Sequence, residues 1–337
     1  MGKTFEKKLP YKKAICYSGY REGQCPTGEM PSKEQISEDL HLLVADGYGY
    51  IRMYEPNVHA ITALQVIREE KLPLQCMIGI DSLAEINSTE CITGPQTFSD
   101  EELAAHAASN DAQLDRLIAL ANEYTDEIVA VSVGNENRFP FVGHLVSEER
   151  LVAHTKKLHA AVKQPVAFCE VDIDWKNLDA IANAVDIIGI HTYPYHMDVS
   201  IEDAFAETKE SFESACAIYP DKQICFTELG WATRTAHDDH ADYASVANQK
   251  RYLEEVADYL KSEEIVGFVF EAFDELFRLS DKFLLLVISL LLLFAAFFAQ
   301  GQILGVIHFI IVDTSHCHFN SAVSYTHLRA HETDSYL

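Results

Sequence analysis

Eight short apolar runs alternate with stretches of helical periodicity along this chain, and that alternation limits its fold more than any other feature. The runs fall at 13–17, 50–54, 74–80, 128–134, 165–171, 185–191, 223–227 and 265–270. Each is almost unbroken in apolar or β-branched residues, as a strand is when helices cover both faces of its sheet. The stretches at 32–45, 60–70, 100–122, 148–162, 175–184, 201–218 and 241–262 repeat their apolar residues at helical spacing. Strand and helix in regular alternation imply right-handed βαβ units and a parallel sheet. Eight of them predict an α/β fold of the (β/α)8 TIM barrel type. An open doubly wound sheet would want a Gly-rich phosphate turn, and neither GxGxxG nor GxxxxGKS occurs. No phosphate-bearing cofactor is therefore expected, and none of any other kind is.

Local signals agree with this division. Ser99 stands before Asp100, Glu101 and Glu102, and Ser147 before Glu148 and Glu149, which predicts N-caps followed by acidic first turns. The polar, Gly- and Pro-bearing segment 81–99 reads as a long loop after the third strand, on the face where such barrels keep their chemistry. It contains the sequon Asn87, Ser88, Thr89.

A chain of 337 residues, 48% hydrophobic, is long enough for one barrel domain and an appendage. Its 26 basic and 52 acidic residues give a formal charge of −26, which argues against nucleic acid and anionic membrane as partners and leaves a neutral ligand such as a sugar. Of eight cysteines, Cys16, Cys76, Cys169 and Cys225 sit in apolar runs and are expected to be buried, unpaired hydrophobes in a reducing compartment. No Cys/His spacing suits a metal, and HDDH at 237–240 reads as solvated loop. The amino terminus lacks the apolar stretch of a signal peptide, so a cytoplasmic, monomeric enzyme is the default expectation.

The run IVAVSVGNENR at 128–138 passes directly from a buried strand into Asn135 and Glu136, and a carboxylate there needs a purpose. The seventh run is followed directly by Glu228. Two carboxylates facing each other across a barrel mouth suit acetal hydrolysis, one donating a proton to the leaving oxygen while the other attacks the anomeric carbon. The donor needs a raised pKa and the attacker must stay ionised. Tyr17, Tyr54, Tyr193, Tyr195 and Trp231 lie at strand ends, where rings can stack on sugars, and His191 is expected to be a hydrogen-bonding core residue within reach of substrate.

These residues stand in words that resemble glycoside hydrolase family 17, the β-1,3-glucanase family, in its bacterial branch. The words are AICYSGYREGQ at 14–24, IRMYEPN at 51–57, VSVGNE at 131–136, HTYPY at 191–195, FTELGW at 226–231 and FEAFDE at 270–275. The resemblance implies a retaining glycosidase on laminarin-like β-1,3-glucan. Glu136 would be the acid/base, Asn135 would hold the neighbouring sugar hydroxyl, and Glu228 would be the nucleophile. Tyr193 would contact Glu228, Arg52 would brace it, and Glu271 and Glu275 would support the site or bind sugar. Transglycosylation of the same glucan, or a barrel that binds without turnover, are the alternatives.

The resemblance stops at Glu275. A barrel domain over 1–275 is expected, lacking its native last helix, then a hydrophobic tail over 276–322 whose apolar runs at 283–299 and 303–312 would make a membrane contact only as a genuine span. VSYTHLRAHET at 323–333 resembles translated sequencing adaptor, so 323–337 is expected to lie outside any fold, and the cluster His316, Cys317, His318 is set aside with the tail.

Overall fold

The structure, a computed structural model, describes residues 8–92, 94–235, 243–273 and 323–324. Eight parallel strands close into a barrel in chain order. They are β1 (Ala14–Cys16), β2 (Tyr50–Met53), β3 (Gln75–Ile78), β4 (Ile128–Asn135), β5 (Val166–Val171), β6 (Ile187–Thr192), β7 (Gln223–Leu229) and, after the short β8 (Arg234–Thr235), β9 (Gly267–Val269). β9 pairs with both β7 and β1, which closes the ring. Outside it, β8 pairs antiparallel with β10 (Val323–Ser324).

The expected helices are α1 (Lys33–Ala45), α2 (Val58–Glu70), α3 (Asp100–Glu123), α4 (Glu148–Ala161), α5 (Asp179–Ala184), α6 (Ala204–Ile218) and α7 (Val246–Ser262). The stretch expected as one helix at 175–184 divides into a 3-10 turn over Asp172–Asn177 and the short α5. Ser99 and Ser147 cap α3 and α4 as their sequences imply, accepting from the backbone N–H of Glu102 and Arg150. Helices lay apolar faces on the strands: Ile36, Leu40 and Leu43 of α1 and Leu114, Leu117 and Ala121 of α3 are all buried. Such stripes supply most of the stability a short helix has.

Cys16, Cys76, Cys169 and Cys225 are buried and form no disulfide among the described residues. Asn87 of the sequon is engaged in its own loop, exchanging hydrogen bonds with the backbone of Phe98. Among the described residues no helix is long and apolar enough to cross a membrane. Glu275, the 237–240 run, the closing helix, the tail at 276–322 with its runs at 283–312, and 325–337 lie outside the described residues.

Three ladders slip register near the carboxyl ends of their strands, at Ser132/Asn135 between β4 and β5, at Ile190/His191 between β6 and β7, and at Phe226/Leu229 between β7 and β9. Such irregularities re-aim side chains. The slips fall beside Asn135, Glu136, His191 and Glu228.

Candidate active site

Glu136 follows the last residue of β4 and has a left-handed backbone, φ +52°. For a residue with a Cβ this costs about 1–2 kcal/mol, so the surroundings must hold it. They do so through the GNEN word itself. Asn137, fully buried, turns its Oδ1 back to accept from Asn135 N–H at 2.9 Å and donates Nδ2 to the His144 carbonyl at 3.0 Å. A Cβ on Gly134 would collide with that same Asn137 oxygen, so only glycine fits there. Glu136 N–H donates to the Cys169 carbonyl of β5 at 2.9 Å.

Glu228, near the end of β7, receives donors from three sides. Arg52 Nη1 donates to its Oε1 at 2.7 Å and Tyr54 Oη to the same atom at 3.0 Å, while Tyr193 Oη donates to Oε2 at 2.5 Å. Arg52 also donates to the Thr227 carbonyl and, through Nη2, to Asn135 Oδ1 at 2.5 Å. One guanidinium fork thereby ties the residue before Glu136 to the residue before Glu228. Burial alone would raise the Glu228 pKa, but the charges of His191 and Arg52 and the bonds from Tyr193 and Arg52 overcome it and lower the carboxyl to about 2.

His191 lies between the two glutamates. Its Nδ1 is 2.7 Å from Glu136 Oε1 and 3.8 Å from Glu228 Oε2, and the ring is buried. Burial pulls its pKa down, yet Glu228, a contact with Cys169 and Glu136 raise it to about 10, so the imidazolium is the form held at neutral pH. The nearest oxygens of Glu136 and Glu228 lie within 4.8 Å of each other and of the imidazole nitrogen. Three such ligands could surround a metal ion. Arg52 already pairs with Glu228 at 2.7 Å, so a divalent cation there would stand beside a fixed positive charge.

The other expected residues separate. Tyr54 and Tyr193 serve Glu228, and Arg52 packs over the Tyr54 ring at 4.5 Å. Glu271 is buried just after β9, and the neighbouring Ala272 N–H donates to the Cys16 carbonyl. Trp231, expected at the mouth as a stacking ring, is buried. It is 0% exposed, its indole donates to the Tyr243 carbonyl at 3.0 Å, and Tyr195 packs edge-on to the ring, so it offers no open face. Tyr17 is likewise buried, its hydroxyl turned to Asp39 of α1 at 3.1 Å. Tyr195 is also buried.

Two residues at the site were not singled out by the sequence. Asn137 has no local signal that sets it apart from the polar Asn135 and Glu136 before it. Glu170, fully buried in β5, was hidden inside an apolar run. A carboxylate in the middle of VAFCEV is the signal that would have found it, because an acid is hardly ever fully buried without partners.

The BtgE/BtgC glycoside hydrolase domain model matches residues 14–283. The chain is 29% identical over 177 residues to a "probable glucan endo-1,3-beta-glucosidase eglC" of Emericella nidulans, covering 46% of this chain and 38% of that protein. It is 22% identical over 277 residues to a "probable beta-glucosidase btgE" of Aspergillus clavatus, covering 80% and 43%. The chain thus spans about two-fifths of the length of these curated relatives. Two solved structures share the fold. An endo-laminarinase from Formosa Hel1_33_131 superposes with TM-score 0.66 at 21% identity, covering 78% of each chain. A glycoside hydrolase family 17 beta-1,3-glucanosyltransferase from Rhizomucor miehei superposes with TM-score 0.60 at 19% identity, covering 79% of this chain and 89% of that one.

Proposed function

The chain belongs to the BtgE/BtgC glycoside hydrolase domain family, and on that footing we propose that it is a retaining glycosidase acting on β-1,3-linked glucan. The observation that carries this reading is the approach of Glu136 and Glu228, whose nearest oxygens are within 4.8 Å at the carboxyl ends of β4 and β7. Retaining enzymes keep their two carboxyl groups about 5–5.5 Å apart, whereas inverting ones leave about 6.5–9.5 Å for a water. The likeness to eglC, a probable glucan endo-1,3-beta-glucosidase, and to the endo-laminarinase supports a β-1,3-glucan as substrate.

The roles follow from the surroundings. Glu228, kept ionised by Arg52, His191 and two tyrosine hydroxyls, is the nucleophile that attacks the anomeric carbon. Glu136 is the more exposed of the two, 16% against 8%, and has one side-chain donor, His191, where Glu228 has several. It protonates the leaving glycosidic oxygen, then takes a proton from the water that releases the sugar. Asn135, held by Arg52, presents its amide beside the reacting carbon, where it can bind the neighbouring hydroxyl.

Laminarin hydrolysis tests the reading. Glu136→Gln and Glu228→Gln should each abolish reducing-sugar release with the circular dichroism unchanged, and NMR of early wild-type products should show the β-anomer first. Substantial turnover by either variant, or an initial α-anomer, would overturn it.

A further inference from the structure

We propose that Glu170 of β5 is a positioning residue for Glu136, holding the acid/base in its reactive place through the backbone of Arg138. This rests on the acid/base role proposed above for Glu136.

Glu170 is fully buried, yet both its carboxylate oxygens are used by main-chain donors. Oε2 accepts from Arg138 N–H at 2.7 Å and Oε1 from Val171 N–H at 2.9 Å. Arg138 is two residues beyond Glu136. The preceding residue of β5, Cys169, accepts from Glu136 N–H through its carbonyl at 2.9 Å. Adjacent residues of one strand therefore grip the turn on both sides of the Glu136 side chain.

That turn needs gripping, because Glu136 has φ +52° and such a conformation persists only where its neighbours over-determine it. The Asn137 amide holds the turn from the side of β4 and the 144–146 segment. Glu170 holds it from β5 and is the sole side chain among the described residues that accepts from the Arg138 N–H. Burial, and after it the charge of Glu136, raises Glu170 to about 8, so near neutrality the carboxyl adds little negative charge beside the acid/base. A grip that added a full charge would disturb the proton it is meant to place. Glu170 reaches neither Glu228 nor a ring at the mouth by any hydrogen bond described, which separates it from the nucleophile's supports.

A residue that places the proton donor should matter most when the leaving group needs a proton. The full chain and its Glu170→Ala, Glu170→Asp, Glu170→Gln and Glu136→Gln variants would be assayed for kcat/KM, which reports the glycosylation step, on laminarin and on 2,4-dinitrophenyl β-laminaribioside. The dinitrophenolate leaves without protonation. Glu170→Ala and Glu170→Asp should lose on the order of 100-fold on laminarin, as a misplacement of about 1 Å can cost, and only a few-fold on the dinitrophenyl substrate. Glu170→Gln, whose amide oxygen can still accept from Arg138, should recover most of the loss. Equal losses on both substrates, or none on either, would overturn the proposal. Where the alanine variant does not fold, the aspartate variant, which withdraws the carboxyl by one methylene, carries the same test. If Glu136→Gln itself shows no dependence on the leaving group, the role of Glu136 falls. If it does while the Glu170 variants do not, only the positioning role falls.

Discussion

Arg52 on β2 and Glu228 on β7, separated by two intervening strands of the barrel, are joined at 2.7 Å with both side chains almost wholly buried. The same guanidinium reaches Asn135, so Glu228 and the β4 end are held by one rigid fork rather than by two independent contacts. A point charge on a flexible stem could not make both sets of bonds. Arg52→Lys should accordingly lower kcat on laminarin by roughly 10- to 100-fold through misplacement, although the charge is kept. Arg52→Met should also destabilise the fold by about 3–5 kcal/mol, because Glu228 is left buried without its counter-ion. Urea unfolding beside steady-state kinetics would check both, and a lysine variant with wild-type kcat would show that charge alone is needed.

The His191–Glu228 relationship makes a statement about pH. Glu228 is lowered from 4.5 to about 2 on folding, so its contribution to stability is complete above pH 4.5 and fades as pH falls towards 2. His191 is raised from 6.5 to about 10, so its contribution is complete below pH 6.5 and fades as pH rises towards 10. Their combined effect should be greatest between pH 4.5 and 6.5. The Tm difference between wild type and His191→Gln should peak in that window and shrink on either side. A difference that stays constant from acid to alkaline pH would mean that the imidazolium is not formed in the native state.

The barrel was legible because buried parallel strands show themselves as apolar runs and serine caps mark where helices begin, and all eight runs became barrel strands. The two glutamates were legible for a related reason: each ends such a run, where a charge has no packing role. What escaped the sequence depends on contacts that no local pattern records. Glu170 is satisfied by a backbone N–H from another strand, which a reading along one strand cannot supply. Trp231 and Tyr17 sit at strand ends like Tyr54 and Tyr193, but the Trp231 ring packs against Tyr252 of α7 and the Tyr17 hydroxyl turns to Asp39 of α1. The direction taken by a residue at a strand end is decided by register slips and by the neighbouring helix. His191 gave no hint of meeting two carboxylates, because only the curvature of the barrel brings the ends of β4 and β7 together at its Nδ1.

Gly134 offers a sharper test of how the turn is built. A methyl group there would fall on the Asn137 oxygen, which must then move and release Asn135 N–H. Gly134→Ala should cost about 1–3 kcal/mol of stability by overpacking and reduce kcat on the order of 100-fold by displacing Glu136. Asn137→Ala should reproduce the kinetic loss without the clash, taking the amide away from the part-buried Asn135 N–H at a cost of about 1–3 kcal/mol. Similar kinetics from both variants would identify the turn, rather than crowding alone, as the cause. Unchanged kcat in Asn137→Ala would show that Glu136 keeps its place without it.

Small anions distinguish the roles proposed for the two glutamates, because each vacancy opens a different face of the sugar. In Glu228→Ala the cavity lies under the anomeric carbon, so azide entering it attacks from below, with Glu136 still able to protonate the leaving oxygen. One displacement inverts the centre and yields an α-glycosyl azide. In Glu136→Ala, Glu228 still forms the covalent intermediate from an activated aryl glycoside. Azide needs no general base and intercepts that intermediate from the opposite face, so two displacements give a β-glycosyl azide. The α-azide should therefore come from the Glu228 variant and the β-azide from the Glu136 variant, as read by the anomeric proton coupling in NMR. The reverse pairing would exchange the two assignments, and rescue in neither would remove the double-displacement mechanism from this site.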